Sequence, residues 1–115
     1  MSTPVGPYTP LVRAGDWLVC SGQLGLRDGS FAGDDVASQV RQAVANVEAL
    51  LASEGRSLTD VVKTTVFLAD IGDYEAMNEA YVEAFGEHRP ARSAFAVAGL
   101  PRGARVEVEA WAYVG

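Results

Sequence analysis

Apolar and polar positions along the chain follow two periods, and each change of period marks an element. Residues 9–14 form a short mixed segment ending at Ala14-Gly15-Asp16, a turn signal. Trp17-Leu18-Val19-Cys20-Ser21-Gly22-Gln23 then reads as a strand running into a glycine, so the two segments predict a hairpin turning at Gly15-Asp16. Arg27-Asp28-Gly29-Ser30 is a second turn, with Asp-Gly as its strongest cue. From Asp35 the period lengthens. Val36, Val40, Val44, Val47 and Leu51 recur at helical spacing, Ala43 and Leu50 widen the stripe, and Arg41, Glu48 and Glu54 fall off it. This predicts an amphipathic helix of about five turns, closed at Gly55. Val61-Val62-Lys63-Thr64-Thr65-Val66-Phe67-Leu68 is a β-branched strand between aspartates. Asp73 stands where a second helix would be capped, with Tyr74, Met77, Tyr81 and Phe85 as its inner face, Val82 beside them, and Gly86 at its end. His88-Arg89-Pro90 is a loop, and strands at 91–98 and 105–114 close the chain.

The order β-β-α-β-α-β-β predicts an α+β sandwich, one domain over residues 1–115, with two helices on one face of a mixed sheet. In the last strand Val106, Val108, Ala110 and Ala112 point one way, and Arg105, Glu107, Glu109, Trp111 and Tyr113 the other. The preceding strand alternates Ala91, Ser93, Phe95 and Val97 with Arg92, Ala94, Ala96 and Ala98. If the helices cover the first set of each, the other face carries Ala94, Ala96, Ala98, Trp111 and Tyr113. Such a face predicts association with further copies.

Composition narrows the function classes. Hydrophobic residues make up 49% and charged residues 21%, which excludes a disordered chain. A net charge of −6, with cations spread singly, disfavours nucleic acid and anionic membranes. Cys20 is the one cysteine, so an intrachain disulfide is excluded. The start, Met1-Ser2-Thr3-Pro4, lacks a signal-peptide pattern, and no apolar run approaches the roughly 20 residues that span a bilayer. The expectation is a cytoplasmic protein.

Arg92 and Glu107 are the candidates for chemistry, both expected on the face away from the helices in adjacent strands. A guanidinium among alanines suits bidentate capture of a carboxylate; a structural salt bridge to Glu107 or Glu109 is the plainer alternative. Glu107 and Glu109 share a strand face, as a general acid–base pair or a half-solvated edge. Cys20 reads as buried and inert, His88 as a surface loop residue, and Tyr8 as a packing residue that also suits a site. One His and one Cys give no metal-ligand spacing, and the glycines match no nucleotide fingerprint.

Six blocks then converge: Gly6-Pro7-Tyr8, Val19-Cys20-Ser21-Gly22-Gln23, the Val61–Leu68 strand, Asn78-Glu79-Ala80-Tyr81, Pro90-Ala91-Arg92-Ser93 and Val106-Glu107-Val108-Glu109-Ala110. In this order and spacing the chain resembles the RidA/YjgF family of reactive-intermediate deaminases. The resemblance implies a chorismate-mutase-like fold and a homotrimer whose sheets form a central barrel, with sites in clefts between subunits. It implies hydrolysis of enamine/imine intermediates such as 2-aminoacrylate to a 2-keto acid and ammonia, without metal or organic cofactor. By the same resemblance Arg92 grips the substrate carboxylate and Glu107 positions or polarises the attacking water. Tyr8, Ser21, Gly22, Asn78 and Ala94 line the pocket, Ala94 through its backbone. Three positions depart from the common family pattern: Thr9-Pro10-Leu11 replaces Ser-Gln-Ala, Ala94 replaces a cysteine, and Gly99 a larger residue. These touch substrate preference. A non-catalytic module that binds or senses small 2-keto acids is the alternative, and RNA cleavage fits poorly with the acidic charge.

Overall fold

The structure is a computed structural model that describes Pro4 and residues 6–115. The N-terminal reading at Met1, Ser2 and Thr3, and Val5, where the resemblance begins, lie outside the described residues. The main sheet has five strands in the order β1-β2-β7-β5-β6. β1 (Leu11–Ala14) and β2 (Trp17–Leu24) form the expected hairpin, and Gly15 takes φ +59 at its turn. β2 runs antiparallel to β7 (Val106–Tyr113), and β7 antiparallel to β5 (Val61–Leu68). β5 runs parallel to β6 (Ala91–Ala96) through the crossover helix α2 (Tyr74–Phe85). The order of strands and helices is the expected one with a small addition. The Asp28-Gly29 turn joins a separate two-stranded ribbon, β3 (Leu26–Arg27) and β4 (Ser30–Phe31), with both turn residues at positive φ.

Helix α1 (Val36–Ala52) begins where the Asp35 side chain accepts from the Ser38 N–H. It ends where the Arg56 and Gly55 amides return to the Leu51 and Ala52 carbonyls, with Gly55 at φ +71. Val40, Val44, Val47 and Leu51 of α1 pack with Leu18 of β2, Val66 and Leu68 of β5, and Val106, Val108 and Ala110 of β7, all buried. Both helices lie on this one face, giving the expected α+β layers. No helix of the described residues is long and apolar enough to cross a membrane.

Several expectations change. Arg92, Ala94 and Ala96 pair in register with Thr64, Val66 and Leu68, whose side chains are buried beneath the helices. Side chains paired in register share a face, so these three face the helix layer, and Ser93 and Phe95 occupy the open face. β5 also stands between β6 and β7, so Arg92 and Glu107 are not on adjacent strands. β6 is a short edge strand of small residues, and its own alternation carries little phase information. Trp111 and Tyr113 do lie on the open face, 43% and 46% exposed, with Trp17 packed edge-on against both. In α2 the buried stripe is Met77, Ala80, Tyr81 and Phe85, whereas Tyr74 and Val82 are 39% and 43% exposed. Asp73 precedes α2 without capping it through its side chain, which lies 3.6 Å from the Arg105 guanidinium. His88 is half-buried, with Nε2 2.7 Å from the Val61 carbonyl, to which it donates. Cys20 is buried, and burial pushes its thiol up to about 11.

One buried polar contact fixes the end of β2 to α1. The Asn46 side-chain amide donates to the Leu24 and Leu26 carbonyls at 3.0 and 2.9 Å, and its oxygen accepts from Gln42. Gly25, between those carbonyls, lies so close to the α1 backbone at Gln39 that a Cβ would collide with it. Asn46→Ala removes both hydrogen bonds to these buried carbonyls and is expected to lower unfolding free energy by about 1–3 kcal/mol. Urea denaturation at fixed protein concentration measures the loss.

Candidate active site

The open face gains a site because β2 carries one residue more than its partner. Cys20 pairs with Ala110 and Gln23 with Val108, so Ser21 and Gly22 together oppose Glu109. Such a bulge redirects side chains and reverses the facing of those that follow: Cys20 faces the helices, Gln23 does so after the bulge, and Leu24 pairs with Glu107 on the other side. The bulge also holds the N-terminal segment. The Ser21 amide donates to the Pro10 carbonyl at 2.8 Å, and the Ser21 hydroxyl donates to the Thr9 carbonyl at 2.7 Å. That places Tyr8 over the bulge. Pro10, one of the departures from the family pattern, thus acts through its carbonyl, which anchors the segment to the bulge. Tyr8, Ser21, Gly22 and Glu107 line one open cavity of about 400 Å³, completed by Leu24, Pro101 and Glu109.

Gly22 is where the Glu107 carboxylate fits, because a Cβ on this residue would fall on the carboxylate. Glu107 is half-buried and takes part in neither ion pair found among the described residues, Arg41–Glu83 and Arg105–Asp73. Burial raises its pKa first, and the Glu109 charge raises it further. A raised pKa makes this carboxylate a stronger proton acceptor than that of an exposed glutamate, as general-base work requires.

Arg92 lies elsewhere, under α2. Its Nη2 donates to the Tyr74 hydroxyl at 3.3 Å, its Nη1 approaches the Met77 sulfur at 3.7 Å, and its Cζ stands 4.9 Å from the centre of the Tyr81 ring. No carboxylate pairs with it among the described residues. Asn78 is on the same helix, with its Oδ1 buried and without a hydrogen-bond partner. Ala94, two residues after Arg92, packs half-buried on the main core. The expected site residues therefore fall into two groups. Tyr8, Ser21, Gly22 and Glu107 share the open face, and Arg92, Ala94 and Asn78 stand on the helix side. Within one chain a β-sheet separates the groups, and the salt bridge between Arg92 and Glu107 is absent.

Sequence reasoning did not assign Leu24 and Pro101 to the cavity, nor Tyr74, Met77, Tyr81 and Thr64 to Arg92. The three helical residues had a usable signal in their spacing over successive turns of α2. The bulge had none beyond Gly22. Among the described residues, no cluster of three or more His, Cys, Asp or Glu side chains could hold a metal ion.

The geometry sets the direction of two titrations. Gly22→Ala expels the Glu107 carboxylate toward water, so its pKa should fall toward that of ordinary glutamate. Glu109→Gln removes a like charge, which eases ionisation and also lowers it. Carbon-detected NMR titration of the Glu107 carboxyl checks both, and an unmoved midpoint in either variant contradicts the packing described.

Known proteins agree with this architecture. The chain is 42% identical over 113 residues to human 2-iminobutanoate/2-iminopropanoate deaminase, covering 96% of this chain and 82% of that protein. It superposes on RidA from the Antarctic bacterium Psychrobacter sp. PAMC 21119 with a TM-score of 0.92 at 37% identity, covering 97% and 92% of the two chains. It superposes on E. coli TdcF with bound serine with a TM-score of 0.91 at 36% identity, covering 97% and 91%. The family model described as Endoribonuclease L-PSP matches residues 1–114, and with a bulged cleft on the same two-helix, mixed-sheet fold, this chain belongs to the RidA/YjgF family.

Proposed function

We propose that this protein hydrolyses small 2-imino acids and their enamine tautomers, 2-aminoacrylate among them, to 2-keto acids and ammonia, at sites shared between copies of a homotrimer. The observation that carries the reading is Glu107: a half-buried carboxyl in the wall of an open cleft, paired with no cation among the described residues, and with a raised pKa. The name of the human relative, and the serine bound to the E. coli one, support a small amino-acid-like ligand.

The chemistry needs few groups. The enamine takes a proton at C3 to become the protonated imine, its nitrogen carrying two hydrogens. Arg92 holds the carboxylate in a two-pronged grip. A water beside Glu107 adds to C2, and its proton passes to the Glu107 carboxylate. The C2 amine is then protonated, the C–N bond breaks, ammonia leaves and the C2 hydroxyl proton is lost to give the keto acid. The site supplies orientation, worth up to about 7–11 kcal/mol in favourable cases, and one proton relay. The acidic charge of −6 favours this reading over RNA cleavage.

The sheet supports assembly. Arg92 and Glu107 face opposite sides of it, so one chain cannot present both to a single small ligand. A neighbouring copy lying against the open face, where Trp111, Tyr113 and Phe95 are exposed, covers these aromatics and brings its Arg92 to the cleft.

Three measurements test the reading. Sedimentation at micromolar concentration should give a three-chain species, and a stable monomer would sink the shared site. Purified protein should release keto acid and ammonia from imines generated in situ; binding of keto acids without turnover favours the sensing module instead. Arg92→Ala and Glu107→Gln should each be nearly inactive. Unfolded and refolded together in equal amounts, they should recover about a quarter of the parent rate, because each mixed ring rebuilds one site of three. Absence of recovery from well-mixed trimers contradicts sharing.

A further inference from the structure

Arg92 is held in an unusual way for a half-buried cation. Such a charge is normally paired with a carboxylate, yet among the described residues none pairs with this one, and the side chains found around its guanidinium, Tyr74, Met77 and Tyr81, are neutral. The Tyr81 ring lies beneath the guanidinium at 4.9 Å, and the Tyr74 ring beside it at 5.7 Å. Tyr81 is itself fixed, because its hydroxyl shares a 2.7 Å hydrogen bond with Thr64, a fully buried residue paired in register with Arg92. Burial keeps the Tyr81 hydroxyl protonated, its pKa raised. Backbone register, tyrosine ring and guanidinium thus form one closed frame. Attraction through the ring face holds the cation without occupying its N–H edge. Among the described residues, the Tyr74 oxygen and the Met77 sulfur take donors from that edge, at 3.3 and 3.7 Å, which leaves the other donors for an anion. Tyr74 accepts from Arg92, so its own hydroxyl proton is left to donate, strengthened by that acceptance.

We infer that Thr64, Tyr81 and Tyr74 form a neutral cradle that orients the Arg92 guanidinium for a ligand carboxylate, and that the Tyr74 hydroxyl supplies that carboxylate with one further hydrogen bond. Thr64 and Tyr81 are positioning residues for the anchor, and Tyr74 both positions it and touches the ligand. The inference rests on the reading of Arg92 as the carboxylate anchor. It goes beyond that reading by naming which neighbours make the arginine fit for the task and why none of them is acidic. A carboxylate in the place of Tyr74 would neutralise the anchor before the ligand arrived.

Tyr74→Phe is the discriminating variant, since Tyr74 is 39% exposed and the ring is kept. Titration calorimetry with 2-oxobutanoate should show Kd weakened by roughly threefold to tenfold, as for one lost hydrogen bond. KM for the imine made in situ from 2-aminobutyrate should rise by the same factor, with kcat falling by less. Nitrogen-15 NMR of the parent without ligand should show resolved Arg92 Nη signals, collapsed in the variant by freer rotation. An unchanged Kd, or Nη signals that stay resolved, in a variant with the parent's melting temperature overturns the cradle. A parent that binds no 2-oxobutanoate while its Arg92 signals are resolved overturns the anchor reading instead, with the frame itself intact.

Discussion

A strand offers its side chains to two faces in strict alternation, and everything functional in this protein depends on that constraint. α1 and α2 cover one face of the five-stranded sheet, and the other face is bare. A residue one position along a strand therefore exchanges a packed, apolar environment for an open one. Arg92 falls on the helix side because Thr64, its partner in register, does; Glu107 falls on the open side because its neighbours Val106 and Val108 are buried. The single departure from alternation, at Ser21 and Gly22, makes the cleft. Without the extra residue Gln23 would face the cleft and Leu24 the core.

Helices and central strands were legible because their apolar residues recur over many positions: five aliphatic residues across α1, and a fourfold alternation in β7 that buries Val106, Val108, Ala110 and Ala112. β6 was misphased because Ala94, Ala96 and Ala98 resemble Ala91 and Ser93 in size and polarity, and because an edge strand is only half enclosed. Its phase is imposed by β5 through the parallel register, which no local pattern encodes. Tyr74 was expected inside because it keeps helical spacing with Met77 and Tyr81, but it lies in the first turn, at the end of the stripe, where it meets the Arg92 guanidinium and stays 39% exposed. Asp73 was expected as a cap because its residue type suits one; a cation two elements away, Arg105, takes its side chain instead.

The candidate site was legible in a different way. Arg92 and Glu107 stood out as charges in strands, and Gly22 as a glycine at a strand end. That they belong to one chemistry came from the resemblance, since spacing cannot say which faces the two charges occupy. The fold gives the gathering of Tyr8, Ser21 and Gly22 around Glu107 a local cause. Two Ser21 hydrogen bonds to the segment before β1 bring Tyr8 in, and the missing Cβ of Gly22 leaves space for the carboxylate.

Placed in contact, Arg92 and Glu107 would neutralise each other as a half-buried pair. Such a pair commonly adds little stability, since the cost of removing both charges from water offsets their attraction. It would also spend both groups, because a guanidinium closed on a carboxylate has no fork left for a ligand, and a carboxylate so paired has its pKa driven down, away from proton transfer. The sheet prevents this within a chain by putting β5 and a change of face between them. Each charge is then held by surroundings that do not neutralise it: aromatic rings and a thioether around the cation, and, around the acid, burial and then a second carboxylate, which both raise its pKa. In the assembly proposed above, the two meet only when a second copy closes over the open face, and the ligand carboxylate then arrives at a cation that its own chain has not neutralised.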